Sequence, residues 1–193
     1  SSDVLYYNKT QNMKTLVIAV LMSLALVSCS RSQDAGNGWS SLIYSHDSGP
    51  LPPKYHFNYN ISINADGSAI SDYQFGYDKS VKTLNHSFKL SEDDVQKLNV
   101  LLKESKIFDG TITSLPENMH PIGGSISNIK VMYVNPDPNL DQPPKMYESP
   151  SFPEQEYKEG LENLYSFIEK LMPQSALDEI KAKQEEREKT QQD

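Results

Sequence analysis

Histidine and acidic side chains are the residues of this 193-residue sequence that could support acid–base or metal chemistry. There are four histidines, His46, His56, His86 and His120, and no two have the spacing of metal ligands. Ser45, His46 and Asp47 are the residue types of a nucleophilic triad, but a triad forms in space and consecutive residues cannot face one another. We therefore expect no catalytic residues. We expect His86 to be structural, and His56 to lie on the polar face of a strand.

A loop rich in Pro, Asn and Asp contains the best partial metal motif. Asp137, Asn139 and Asp141 stand at the first, third and fifth positions of an EF-hand calcium loop, and Glu148 stands at the twelfth. Gln142 occupies the position where that loop needs Gly, and two prolines follow it. We interpret this loop as a hairpin connection without a metal ion, because Pro, Asn and Asp also favour turns.

The segment 118–125 is the second irregular segment, and it contains a pair of glycines before a predicted strand. Such a pair can open a backbone nest for an anion, but the Lys and Ser or Thr of a phosphate loop are missing. We therefore interpret this segment as a plain loop, although it could form one binding rim with the loop 135–144, because binding residues concentrate on loops. The rim would consist of His120, Gly123, Gly124, Asp137, Asn139 and Asp141.

Cys29 is the single cysteine, which excludes an internal disulfide and a multi-thiolate metal site. It follows Lys14 and an uncharged, largely apolar run over 16–27. That run is too short to span a bilayer, which takes roughly 20 residues. A basic start, a short apolar run and a small residue are typical of a secretory signal.

The run ends in Leu26-Val27-Ser28-Cys29, which resembles the lipobox of bacterial lipoproteins. The resemblance implies that a signal peptidase recognises Leu26, Val27 and Ser28 and cuts before Cys29. It also implies a diacylglyceryl group on the Cys29 thiol and an acyl group on the new amine, with no other cofactor. Several acyl chains would anchor the protein to a membrane almost permanently. The alternative is a buried core cysteine behind a hydrophobic strand.

The lipobox resemblance, together with the composition of the rest of the chain, predicts where the protein is located and how the chain is organised. Ser30 is similar to the residue of lipoproteins directed to the outer membrane, so we expect a protein that faces the periplasm. We expect five segments: an upstream leader (1–12), a signal peptide (13–28), a lipidated anchor with a flexible tether (29–53), a globular domain (54–173) and a charged helical tail (174–193). The tether is half Ser, Gly and Pro from residue 30 onward. It includes apolar residues that could dock on the domain or lie at the membrane interface: Trp39, Leu42, Ile43 and Tyr44.

The remaining periodicity predicts a small α+β domain. Apolar and polar residues alternate over 55–64, 69–77, 82–90 and 126–134, which is typical of strands, and 145–148 could pair with the last of them. Ser91 and the acids after it predict a helix start, and a second apolar stripe follows Pro153. We expect an antiparallel sheet of about five strands in the order βββαββα, with two helices on one face.

The composition excludes one class of partner but does not identify the function. A net charge of −8 argues against nucleic acid as a partner, since phosphate binding needs clustered cations. The leading interpretation is a non-catalytic, lipid-anchored envelope protein that binds a protein or a cell-wall component. The alternatives are an inhibitor or immunity-type protein acting on a secreted or periplasmic enzyme, and a hydrolase with an unrecognised site.

Overall fold

One antiparallel sheet of six strands and three helices forms the described part of the chain, which in this computed structural model is residues 38–190 except 79, 81, 138, 140 and 141. The strands are β1 (Trp39–Asp47), β2 (Phe57–Asn64), β3 (Ser68–Phe75), β4 (Leu84–Lys89), β5 (Ile126–Tyr133) and β6 (Lys145–Glu148). The helices are α1 (Glu92–Glu104), α2 (Gln155–Lys170) and α3 (Gln174–Thr190), with a short 3-10 turn at Glu117–Met119.

The strands lie in the order β4-β3-β2-β1-β5-β6, and every neighbouring pair is antiparallel. The α+β class predicted from the sequence is confirmed. The predicted five strands and the order βββαββα are wrong, because a sixth strand precedes the predicted meander.

The additional strand is β1, which lies within the segment 29–53 that the sequence predicted to be tether. It pairs with β2 along one edge and with β5 along the other, so it joins the two halves of the sheet. Leu42 and Tyr44 are buried, while Ser41 and Ser45 lie on the opposite face. Successive strand residues point to opposite faces of the sheet, so the serines of the open face alternate with the buried residues of β1. This high content of serine made the segment resemble a flexible linker. Folded structure therefore begins well before residue 54.

The hydrophobic core lies between the sheet and the helices. Alternate residues of the central strands point into it, including Ile61, Ile63 and Ile129, all of which are buried. Helix α1 contributes Leu98 and Leu102. Helix α2 contributes Leu161, Leu164 and Ile168 to the same core. The helices therefore cover one face of the sheet and leave the other open.

Local signals explain the helix bounds. Ser91 is the N-cap of α1: its Oγ accepts a hydrogen bond from the Asp94 backbone N–H, and the Asp94 side chain accepts one from the Ser91 backbone. A separate contact ties α1 to the sheet: Trp39 Nε1, at the start of β1, donates a hydrogen bond to Asn99 Oδ1 of α1 at 2.7 Å. The charged tail predicted from residue 174 is helical, and Ile180 of that helix joins the core.

The central position of β1 can be tested by stability measurements on two adjacent residues. Leu42 is fully buried, so Leu42→Ala should lower the free energy of unfolding by about 2–5 kcal/mol, because it leaves a cavity between sheet and helices. Ile43→Ala is the matched control on the open face, where Ile43 is 43% exposed. It should change the free energy of unfolding by no more than about 0.5 kcal/mol. Equal, small losses in urea denaturation would contradict a buried β1.

Candidate functional site

A row of polar side chains crosses the open face of the sheet. The strand register places Asn128 of β5 opposite Ser45 of β1, and Ser45 opposite Asn60 of β2. It also places Asn60 opposite Asp72 of β3, and Asp72 opposite Asn85 of β4. We call these five residues the polar row. Because neighbouring strands lie about 4.8 Å apart, the polar row is about 19 Å long.

The polar row is exposed to solvent in part. Asn60 and Asn85 are exposed, and each has a hydroxyl donor on its Oδ1: Ser45 Oγ at 2.7 Å and Thr83 Oγ1 at 2.8 Å. Within the described residues, the buried Oδ1 of Asn128 has no hydrogen-bond partner. With one carboxylate among five side chains, the polar row suits hydrogen bonding to an extended polar ligand rather than proton transfer.

A second row lies beside it, two residues along each strand. Ile43 and Ile70 are about half exposed, and Ser62 lies between them on β2. Lys130 continues this row on β5, where its Nζ is 3.1 Å from Glu148 Oε1. The two rows together combine hydrogen-bonding groups with two exposed aliphatic side chains and little net charge.

On the covered face, a polar cluster joins α2 to the sheet. The Glu169 Oε1 accepts hydrogen bonds from the Tyr44 hydroxyl at 2.6 Å and from the Tyr59 hydroxyl at 2.8 Å. The Tyr44 hydroxyl also lies 3.1 Å from Ser127 Oγ, which is 2.9 Å from His46 Nδ1. We call these five residues the polar cluster.

Burial sets the protonation states in the polar cluster. Burial and the Glu169 carboxylate raise the pKa of Tyr44 and of Tyr59 well above the usual value for a phenol, so both hydroxyls stay protonated and donate. Burial lowers the pKa of His46 below its usual 6.5, although Glu169 and Asp47 act in the opposite direction. Each hydroxyl here has a partner inside the cluster. The arrangement therefore cross-links α2 to three strands and does not aim a nucleophile at solvent.

A neighbouring pair of hydroxyls extends this internal network. Ser149 Oγ accepts a hydrogen bond from the Ile129 backbone N–H at 3.0 Å and lies 2.7 Å from the Tyr165 hydroxyl. Burial raises the pKa of Tyr165 to about 12. The Tyr165 ring is 5.1 Å from the Tyr44 ring, so both tyrosines belong to the packing between α2 and the sheet.

His56 connects loops at the end of β1. It is buried in the loop before β2. The prediction that it lies on the polar face of a strand is therefore wrong. Its Nε2 is 3.2 Å from Asp47 Oδ1, which also accepts a hydrogen bond from the Gly49 backbone N–H at 2.7 Å. The His56 ring stacks on Tyr77 with centroids 3.8 Å apart. The Tyr77 hydroxyl donates to the Leu51 carbonyl at 2.8 Å. These contacts join the loop after β1 to the loop after β3.

Three residues of the predicted rim lie at this end of the sheet. His120 is structural here: its Nε2 is 2.8 Å from the Leu115 carbonyl oxygen, and its ring is 4.6 Å from that of Phe152. Gly123 and Gly124 have φ values of +81° and +90°, which favour glycine. A Cβ at Gly49 would overlap the carbonyl oxygen of Gly124, so the segment 118–125 packs directly against the loop after β1.

The other three rim residues do not join them. The segment 118–125 precedes β5 and the loop 135–144 follows it, so the two loops lie at opposite ends of an eight-residue strand. Asp137 Oδ1 accepts from the backbone N–H and the side-chain amide of Asn139, as a turn former does. Asp141 lies outside the described residues. The prediction of one rim is wrong, because β5 lies between the two loops in the sequence and carries the chain from one end of the sheet to the other.

Other predicted positions stand apart from these groups. His86 is partly buried, with its Nε2 3.5 Å from Glu179 Oε2 of α3. Leu26, Val27, Ser28 and Cys29 lie outside the described residues, so the lipobox stays a prediction. Among the residues with described positions, no group of three or more His, Cys, Asp or Glu side chains could hold a metal ion. In the same part of the chain, no helix is both long enough and apolar enough to cross a bilayer.

Comparison with known proteins does not assign the chain to a family. No family model matches the sequence, and no curated protein matches it.

Neither the polar row nor the polar cluster was predicted from the sequence. The polar row needs the register of five strands, and one of them, β1, was interpreted as tether. Glu169 is one of several acidic residues in the apolar-striped segment after Pro153, and nothing local distinguishes it. The alternation of Tyr59 and Tyr73 with polar residues was a usable signal for a buried aromatic face, and both tyrosines are buried.

The polar cluster predicts a strong dependence of stability on Glu169. Glu169→Ala removes the acceptor of two phenol hydroxyls, and we expect the free energy of unfolding to fall by about 2–4 kcal/mol. Glu162→Ala on the same helix is the control, since Glu162 makes only an exposed pair with Lys158 at 3.7 Å. That pair should contribute about 0.3–0.5 kcal/mol. A similar loss for both variants in thermal or urea unfolding would argue against the cluster.

Proposed function

We propose that this protein is a lipid-anchored lipoprotein of the bacterial envelope whose domain binds a polar cell-wall polymer without catalysis. The observation that carries the anchor is Leu26-Val27-Ser28-Cys29 at the end of a short apolar run. Mature protein would begin at Cys29 with its lipid attached. Ser30 favours the outer membrane, with the domain facing the periplasm.

The short distance between the anchor and the fold supports this proposal. Strand β1 begins at Trp39, ten residues after Cys29. Ten residues span at most about 35 Å when fully extended, so a lipid on Cys29 would hold the sheet close to the membrane surface. A domain held there meets the cell wall and other envelope components at high local concentration.

The open face supports binding rather than catalysis. The polar row presents a line of amide and hydroxyl groups about 19 Å long, which suits a polymer with regularly spaced hydroxyl and amide groups. Ile43 and Ile70 add apolar contacts for the carbon faces of such a polymer. Peptidoglycan is the envelope polymer with this chemistry, and we propose it as the partner.

The anchor is tested by the distribution of the protein between membrane and soluble fractions. Cys29→Ala should prevent lipid attachment and abolish incorporation of labelled palmitate. The precursor should no longer be cut before residue 29, and the lipid-dependent outer-membrane fraction should disappear. Ser30→Ala is the control and should keep both label and fractionation. Palmitate labelling that persists in Cys29→Ala would contradict lipidation at this residue.

The polar row is tested by co-sedimentation with purified peptidoglycan. The double variant Asn60→Ala/Asn85→Ala removes two exposed amides, and we expect binding to weaken about tenfold or more, which corresponds to about 1.4 kcal/mol. Its control is Asn118→Ala/Asn163→Ala, which removes two exposed amides elsewhere. Equal binding by both double variants, or no binding by the unmodified protein, would overturn the proposal of this partner.

A further inference from the structure

Exposed apolar side chains gather on the loops at the end of β1, away from Trp39. Five large ones lie there: Leu51, Tyr55, Tyr77, Met119 and Ile122. We call this set the loop crown. Ile122 is completely exposed (106%) and Met119 is 63% exposed, and neither residue is used in the hydrophobic core.

The loop crown is a built feature, because separate loops are fastened together beneath it. The Tyr77 hydroxyl bonds the Leu51 carbonyl, and the Gly124 carbonyl packs against Gly49. A Cβ at Gly123 or at Gly124 would meet nothing within 4 Å, so this part of the segment protrudes. The crown therefore presents exposed apolar side chains on loops that are held together, which suits contact with a bilayer interface.

The composition of these loops matches a bilayer interface. The loop after β3, which carries Tyr77, contains Asp78, Lys79 and Lys82, but the segment 118–125 has no charged residue and Lys54 is the single charge in 48–56. Its Nζ lies 4.7 Å from the centroid of the Tyr55 ring. Tyr rings at headgroup depth, a Lys that reaches lipid phosphates, and aliphatic side chains at the apex are the features of a surface that enters a membrane interface.

From this chemistry we infer that the loop crown inserts into the bilayer that carries the Cys29 lipid, forming a second contact with the same membrane. The inference rests on the proposed anchor. Strand β1 spans about 26 Å between Trp39 and Asp47. The ten residues from Cys29 reach about 35 Å when extended, so the crown can touch that bilayer. Insertion to about 5–10 Å would place Ile122 and Met119 among the upper acyl carbons.

The test uses the lipidated protein reconstituted into vesicles of phosphatidylethanolamine and phosphatidylglycerol. Lipid on Cys29 blocks its thiol, so Ile122→Cys supplies one free thiol for an environment-sensitive fluorophore. Met146→Cys is the matched control, because Met146 is also an exposed apolar residue (49%). Met146 lies at the Trp39 end of the sheet, opposite Met132 of β5, and is therefore nearer to the point where the chain enters from the anchor.

The inference predicts a shift to shorter wavelength and loss of emission with quencher-bearing lipid at position 122, and neither change at position 146. Equal exposure to water at both positions, or quenching at 146 alone, would overturn it while leaving the anchor intact. A change at 122 that needs added envelope protein would also overturn it and would indicate a protein partner. Failure of the protein to enter vesicles would instead refute the proposed anchor, and the inference with it.

Discussion

The pairing of β1 with both β2 and β5 is the constraint on which the rest of the structure depends. Without this strand, β2, β3 and β4 form one meander and β5 with β6 forms a separate hairpin. Leu42 and Tyr44 bring the two halves together over one core, and Trp39 ties the strand to α1 through Asn99. The covered face, the open face and the loops at each end of the sheet follow from this central pairing.

Because strand side chains alternate, β1 contributes differently to each face. Tyr44 and His46 enter the polar cluster that holds α2, where Glu169 accepts two phenol hydroxyls. Ser45, between them in sequence, lies in the polar row on the other face. The Ser45-His46-Asp47 sequence is therefore divided between the two faces and the strand end, and it forms no triad. The polar cluster on the covered face thus serves the structure, and the binding that we propose takes place at the polar row on the open face.

How much of this could be predicted from the sequence depended on whether a signal was local. The Ser91 N-cap and the helix after it were predictable, because a capping box lies within four residues. The alternation through Tyr59, Ile61 and Ile63 likewise identified β2. Strand β1 was missed because serines lie on both sides of Ile43 on its open face, and the partnership of His46 with Ser127 was missed because those residues are 81 positions apart. Contacts of that kind are set by topology, which no local pattern contains.

In the proposed protein, ten residues separate the lipidated Cys29 from Trp39, where β1 begins. If Cys29 carries the proposed lipid, ten residues would keep the start of β1 within about 35 Å of the membrane, so that the polar face and the loop crown could serve one orientation. The most direct test of this account is the intact mass of the protein purified from bacterial membranes. We predict a mass that lacks the residues before Cys29 and includes a diacylglyceryl and an acyl group. A mass that retains residues before Cys29, or one with an unmodified Cys29, would contradict the account.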